Sequence, residues 1–211
     1  MSTLHRMLAA LVEEGMLVKD ARTRRYRPGP LLHELGLAAP PPVDLRAIAR
    51  PVLERLAEAT GDTAYLNVRS GADALCLDVC EGSFPIKALP MSVGNRRPLG
   101  VGAAALAVLG ALPAAEAALV MQRNADRYRR PGLTPDKVAA ALRELQSCGH
   151  IVTTGRLGAR YRGVAVPVTD RQGRFALALS ISAMAERLDA ARVAHVAVTL
   201  RREAREFAQA L

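Results

Sequence analysis

A chain of 211 residues holds one domain of moderate size, or a small one joined to a larger one. Half of it is apolar, enough for a real core, but aromatics are only 3% and tryptophan is absent, so Leu, Val, Ile and Ala must fill that core. Twenty-nine basic against 20 acidic residues leave a net charge of +9, which points to a polyanion, nucleic acid first, unless it reflects an arginine-rich proteome.

In chain order, Ser2 to Glu14 has helical periodicity, with Leu4, Met7, Leu8, Leu11 and Val12 on one stripe and Gly15 as its stop. Leu17–Lys19, a polar turn Asp20-Ala21-Arg22-Thr23, and Arg24–Arg27 read as a β-hairpin whose tip carries Arg22, Arg24 and Arg25. Leu31 to Ala39 is a short apolar helix. Pro40-Pro41-Pro42 is a stiff linker. Asp44 is a fitting N-cap for a helix to about Thr60, with the stripe Leu45, Ile48, Val52, Leu56 and Ala57.

Strands follow at Thr63–Val68, Ala74–Val79 and Pro85–Leu89. Pro98-Leu99-Gly100-Val101-Gly102 leads into an Ala-rich helix ending near Leu112, and further helices follow Pro113 and Pro135. Ile151–Thr154, Gly163–Val168 and Phe175–Ser182 read as strands, the last two joined by a turn at Thr169–Gly173. Asp189 caps a terminal helix with the stripe Val193, Val196, Leu200, Ala204, Phe207 and Leu211. The expected fold class is α+β: a fragment of helix plus hairpin, a linker, then a domain with a mostly antiparallel sheet.

No apolar run approaches the roughly 20 residues of a membrane span. The opening residues lack the apolar region of a secretory signal, so a cytoplasmic protein is expected. Three cysteines argue against a disulfide framework. Cys76 and Cys80, four apart on a strand, are expected to share a face as packed thiols, with no metal bound. The four histidines lie in four different elements, and neither a nucleophile elbow nor a phosphate-binding loop occurs, so no catalytic residue and no cofactor are expected. Arg127, Arg129 and Arg130 read as a solvated charged face.

A helix followed at once by a basic hairpin is how a winged helix-turn-helix ends. Ser2, Thr3, His5 and Arg6 lie where such a helix meets base edges, and the hairpin arginines lie where phosphates are met. An amphipathic surface helix beside a solvated hairpin accounts for the same spacing. The glycines of the 98–105 segment superficially match a dinucleotide fingerprint, without the strand and acidic residue that would support it. More simply, glycines before a helix expose amides that can accept a carboxylate.

Thr3-Leu4-His5-Arg6-Met7-Leu8, Leu11, Glu14-Gly15 and Arg25-Tyr26-Arg27-Pro28-Gly29-Pro30 closely resemble the recognition helix and wing of the IclR family of bacterial transcriptional regulators. The likeness continues through Arg50–Leu56, Gly94–Leu99, Ala165–Val168, Asp170 and Ala178–Ser182, in the family's order along essentially the whole chain. It implies a DNA-binding segment at 1–30, a linker at 31–43 and an effector-binding domain with a GAF-like fold at 44–211. The family carries a few tens of residues ahead of this point, holding two more helices, so an incomplete head is expected, through a late start or truncation. A DNA-free small-molecule sensor is the alternative.

The resemblance also implies an effector site at Leu99, Gly100, Val101, Gly102, Ala103, Thr153, Gly163, Val164, Ser180 and Ser182. Gly100, Gly102 and Ala103 stand where relatives often carry His-x-Thr-Ala. Gly163 replaces a frequent cysteine and Thr153 an acidic residue. These changes favour a bulkier and more apolar ligand, an organic acid with aromatic acids among the candidates. Expected partners are double-stranded operator DNA, that carboxylic acid, and a second copy in a homodimer or homotetramer, with no membrane.

Overall fold

The computed structural model describes residues 3–39, 43–154, 160–170, 172–173 and 175–211. The chain divides into two compact units, Met1–Asp44 and Leu45–Leu211. The Pro40–Pro42 linker lies outside the described residues.

In the first unit, helix α1 spans Thr3–Glu13 and leaves Leu4 and Met7 exposed. Gly15 ends it at φ +74°, a left-handed turn that costs glycine no Cβ clash. Strands β1 (Leu17–Lys19) and β2 (Tyr26–Pro28) pair antiparallel, Val18 opposite Arg27. The second strand begins two residues later than its composition suggests. The Asp20 carboxylate accepts from the amides of Arg22 and Thr23 and from the Thr23 hydroxyl, and Arg24 takes φ +57°, so the turn extends through Arg25. Those bonds hold the Asp20 carboxyl below its ordinary value, the Thr23 amide first. Helix α2 (Pro30–Ala38) starts on a proline, which lacks only an amide that would have had no acceptor there.

The second unit is built on one sheet in the order β5-β4-β3-β8-β7-β6, antiparallel throughout. Its strands are β3 (Thr63–Ser70), β4 (Asp73–Cys80), β5 (Arg96–Pro98), β6 (Ile151–Thr154), β7 (Tyr161–Thr169) and β8 (Ala176–Met184). Helices α3 (Leu45–Thr60) and α8 (Ala190–Gln209) cover one face. Their stripes meet Leu66, Val164, Val166, Leu179 and Ile181. Helix α4 (Ala103–Gly110) covers the other, backed by α5 (Ala114–Arg123), α6 (Ala125–Arg129) and α7 (Pro135–Cys148). Ala165 and Ala178 lie buried against it, and such small side chains let a helix sit close to a sheet.

Three expectations change. Pro85–Leu89 is no strand. Pro85 cannot donate to a ladder, and the segment is tied instead by side chains: the Tyr65 hydroxyl donates to the Ala88 carbonyl at 2.9 Å and Lys87 Nζ to that of Gly82. The edge strand is Arg96–Pro98. Cys76 and Cys80 also do not share a face. The register steps from Leu66 opposite Asp78 to Asn67 opposite Cys76, so Leu77 bulges. Cys80 then packs with the α3 core and Cys76 with Tyr65 and Met91. Burial raises the Cys76 thiol to about 11. Finally, Arg127 and Arg129 lie on the short helix α6, which Tyr128 anchors in the core.

Buried carboxylates fasten the α3 side. Asp62, 5% exposed, faces Arg187 and Arg192 at 2.9 Å each. Glu203, on the buried face of α8, receives Arg55 at 2.6 Å and Arg202 at 3.0 Å. Among the described residues no helix is long and apolar enough to cross a membrane.

Candidate functional site

A cavity of about 960 Å³ opens between the sheet and the start of α4. Strand alternation decides which side chains line its floor. Tyr65 and Asn67 on β3, Ser180 and Ser182 on β8, and Gly163 on β7 belong to it, with Thr153 on β6. Registers place Tyr65 opposite Ser180, Ser182 opposite Gly163, and Gly163 opposite Thr153, so hydroxyls from three strands fall in two adjacent rows. A Cβ on Gly163 would come within 3.3 Å of Ala103 Cβ, so the glycine sets how near α4 sits.

The wall facing this floor is the loop before α4. Gly100 takes φ +98° and Gly102 φ +88°, both left-handed. A Cβ at Gly100 would lie 2.7 Å from the Tyr128 hydroxyl and 3.0 Å from Val138. That hydroxyl donates to the Leu99 carbonyl at 2.7 Å, and Asn124 Nδ2 donates to the Ala72 carbonyl at 2.8 Å. Tyr128 is fully buried, and burial raises its phenol above its ordinary value. Gly100→Ala is expected to cost about 2–3 kcal/mol, from backbone strain and from displacing that phenol. A melting temperature within a degree of the parent's would contradict this account of the loop.

Eight of the residues singled out for the effector come together here: Gly100, Val101, Gly102, Ala103, Thr153, Gly163, Ser180 and Ser182. Leu99 and Val164 do not line the cavity. Leu99 is turned into the α4 core, and Val164, next to Gly163, points by alternation to the α3 and α8 face. For the DNA-facing set, Thr3, His5 and Arg6 are exposed on α1, and Arg22, Arg24 and Arg25 are exposed in the hairpin. Ser2 lies outside the described residues.

The electrostatics come from residues that spacing did not expose. Among the described residues the lining carries Arg97, Arg127, Arg130 and Arg162 and not one carboxylate. Arg162 donates to the Leu188 carbonyl. Arg127 is neutralised by Asp73 at 2.6 Å, so it does not belong to a purely solvated face. Arg130 is exposed. Arg97 is partly buried, its Nη2 donates to the Pro90 carbonyl at 3.3 Å, and among the described residues neither it nor Arg162 forms an ion pair. Burial pulls the Arg97 guanidinium below its ordinary value, while Tyr65 opposes that shift. Adjacent arginines face opposite ways on a strand: Arg96 turns out to Ser70 and Asp73, and Arg97 turns in.

Comparison with known proteins agrees with this architecture. The family profile described as "Bacterial transcriptional regulator IclR C-terminal" matches residues 40–209. The HTH-type transcriptional regulator BhcR of Paracoccus denitrificans is 30% identical over 210 residues, covering 98% of this chain and 74% of that protein. XynR of Escherichia coli, also an HTH-type transcriptional regulator, is 27% identical over 216 residues, covering 100% and 84%. The crystal structure of an IclR family transcriptional regulator from Brucella abortus shares the fold, with a TM-score of 0.83 at 22% identity over 99% of this chain and 79% of that one. The antiparallel sheet, the walled cavity and the profile spanning nearly all of the second unit lead to one assignment: the chain belongs to the IclR family of bacterial transcriptional regulators.

Proposed function

We propose that the cavity is the effector site of this regulator and that its effector is a small organic anion, a carboxylic acid. The observation that carries this is Arg97: a guanidinium withdrawn from water, facing a cavity lined by no carboxylate among the described residues. A cation in that position gains from a charged partner. The first amides of α4 lie in the same wall and have no acceptor within their helix. The apolar remainder, with Met91, Leu106, Val101 and Leu133, suits a hydrocarbon or aromatic body.

The test is a melting panel of aliphatic and aromatic carboxylates, each beside its neutral primary amide. At about a hundred times its dissociation constant, a bound acid stabilises by about 2.7 kcal/mol, read as a rise of several degrees. Acids that stabilise no better than their amides would defeat the reading.

In this proposal residues 1–30 meet operator DNA, 31–43 link, and 44–211 sense the acid, within a homodimer or homotetramer in the cytoplasm. Thr3, His5 and Arg6 are assigned to bases, as is Ser2, and Arg22, Arg24 and Arg25 to phosphates. Replacing the three hairpin arginines with alanine is expected to reduce the slope of log affinity against log salt by about 2–3 per head, at slope about 0.9 per phosphate contact. An unchanged slope would remove the hairpin from the interface.

A further inference from the structure

Among the described residues, two side chains of the cavity lining carry a buried polar atom with no hydrogen-bond partner, Arg162 at Nε and Asn67 at Oδ1, and Asn67 is the neutral one. Asn67 is 1% exposed, lines the cavity floor beside Tyr65, and its amide oxygen meets no hydrogen-bond partner among the described residues. Its place is unusual for a polar residue. It stands between Leu66 and Val68 in the interior of β3, where the period-2 pattern gives Leu66 to the α3 core and Asn67 to the cavity. A buried amide without a partner is destabilising, so an apolar residue would serve the empty fold better.

We propose that the effector is a hydroxy acid, its carboxylate held by Arg97 and its hydroxyl by Asn67. This rests on the anion reading above and narrows it. A hydroxyl is the group that suits the position, because it both donates and accepts and so satisfies either end of the amide. A ketone or ether only accepts and leaves Asn67 Oδ1 unbonded. Ser180, 4% exposed and opposite Tyr65 in the sheet, stands one strand away and offers the same hydroxyl a second contact. The site selects by the asymmetry of hydrogen bonding: matching the amide gains moderately, and leaving it unmatched in a sealed complex costs more.

The experiment is calorimetric titration of the full chain with matched sets: benzoate, its 2-, 3- and 4-hydroxy derivatives and their methyl ethers, and hexanoate beside 6-hydroxyhexanoate. At least one hydroxy acid is expected to bind ten-fold or more tightly than both its parent acid and its ether. In Asn67→Leu that ratio is expected to fall below about three-fold. The ligand-free Asn67→Leu protein is expected to melt higher than the parent, as loss of an unpaired buried amide requires; Asn67→Ala serves for the ratio if the leucine variant does not fold. Acids that bind without any gain from a hydroxyl would overturn the hydroxy-acid proposal and leave the anion site standing. A gain that survives in both Asn67 variants, or a lower melting temperature for a folded Asn67→Leu, would also overturn it. A panel in which no acid binds would overturn both.

Discussion

Arg97→Ala is expected to weaken binding of whichever carboxylate the melting panel identifies by about 10–100-fold, the loss of a charge-assisted hydrogen bond in a partly buried site. The neutral amide of the same acid should change by less than about three-fold, because it has no charge for the guanidinium to meet. Arg97→Lys separates charge from shape. An ammonium keeps the charge but not the two-pronged geometry, and should recover only part of the affinity. The apo protein should not be destabilised. The guanidinium has one 3.3 Å bond to the Pro90 carbonyl, and burial works against its charged form. Calorimetry on the three proteins decides the matter, and equal affinity for the acid in all of them would remove Arg97 from the site.

The largest stability effect is expected at Asp62. Its carboxylate is the common partner of Arg187 and Arg192, and Arg187 also lies over the Phe84 ring at 3.6 Å. Arg192 in turn donates to the Thr60 carbonyl at 2.5 Å, so the cluster ties the end of α3 to the start of α8. Asp62→Ala leaves two cations together without their anion. The expected cost is about 3 kcal/mol, the low end for breaking a buried pair because both arginines retain some contact with water. At about 2–4 °C per kcal/mol, the melting temperature should fall by about 6–12 °C. Asp62→Asn keeps hydrogen-bonding capacity and should lose less. A fall of under 2 °C for the alanine variant would mean that the cluster is incidental to stability.

Which parts could be read from the sequence follows from the range over which each interaction acts. The α8 stripe was legible because Val196, Leu200, Ala204 and Phe207 repeat at helical spacing, and the sheet strands because alternation and turn residues are local signals. Pro85–Leu89 misled because its apolar composition imitates a strand, whereas Ile86 and Leu89 are exposed and the Tyr65 hydroxyl, rather than a ladder, holds the Ala88 carbonyl. The glycine loop and the Ser180–Ser182 pair were visible as motifs. Arg97 and Asn67 were not, because the first depends on which of two neighbouring arginines turns inward, and the second on a register between strands more than 100 residues apart. One signal for Asn67 was present all along: a polar amide inside an otherwise apolar strand, at the same parity as Tyr65.

The loop at Pro98–Gly102 carries one more consequence. Three of its carbonyls are taken, Pro98 by the Val101 amide, Leu99 by the Tyr128 hydroxyl and Gly102 by the Leu106 amide, and its own amides at Leu99 and Gly100 are bonded to the Ala72 and Ala105 carbonyls. Beyond it, the first amides of α4 lie in the cavity wall without an acceptor inside their helix. On the anion-site proposal, negative charge would be met twice, once by a side chain that a single substitution erases and once by main-chain amides that an alanine substitution at Arg97 leaves in place. Arg97→Ala should consequently remain a poorer receptor for the same ions rather than become a receptor for different ones.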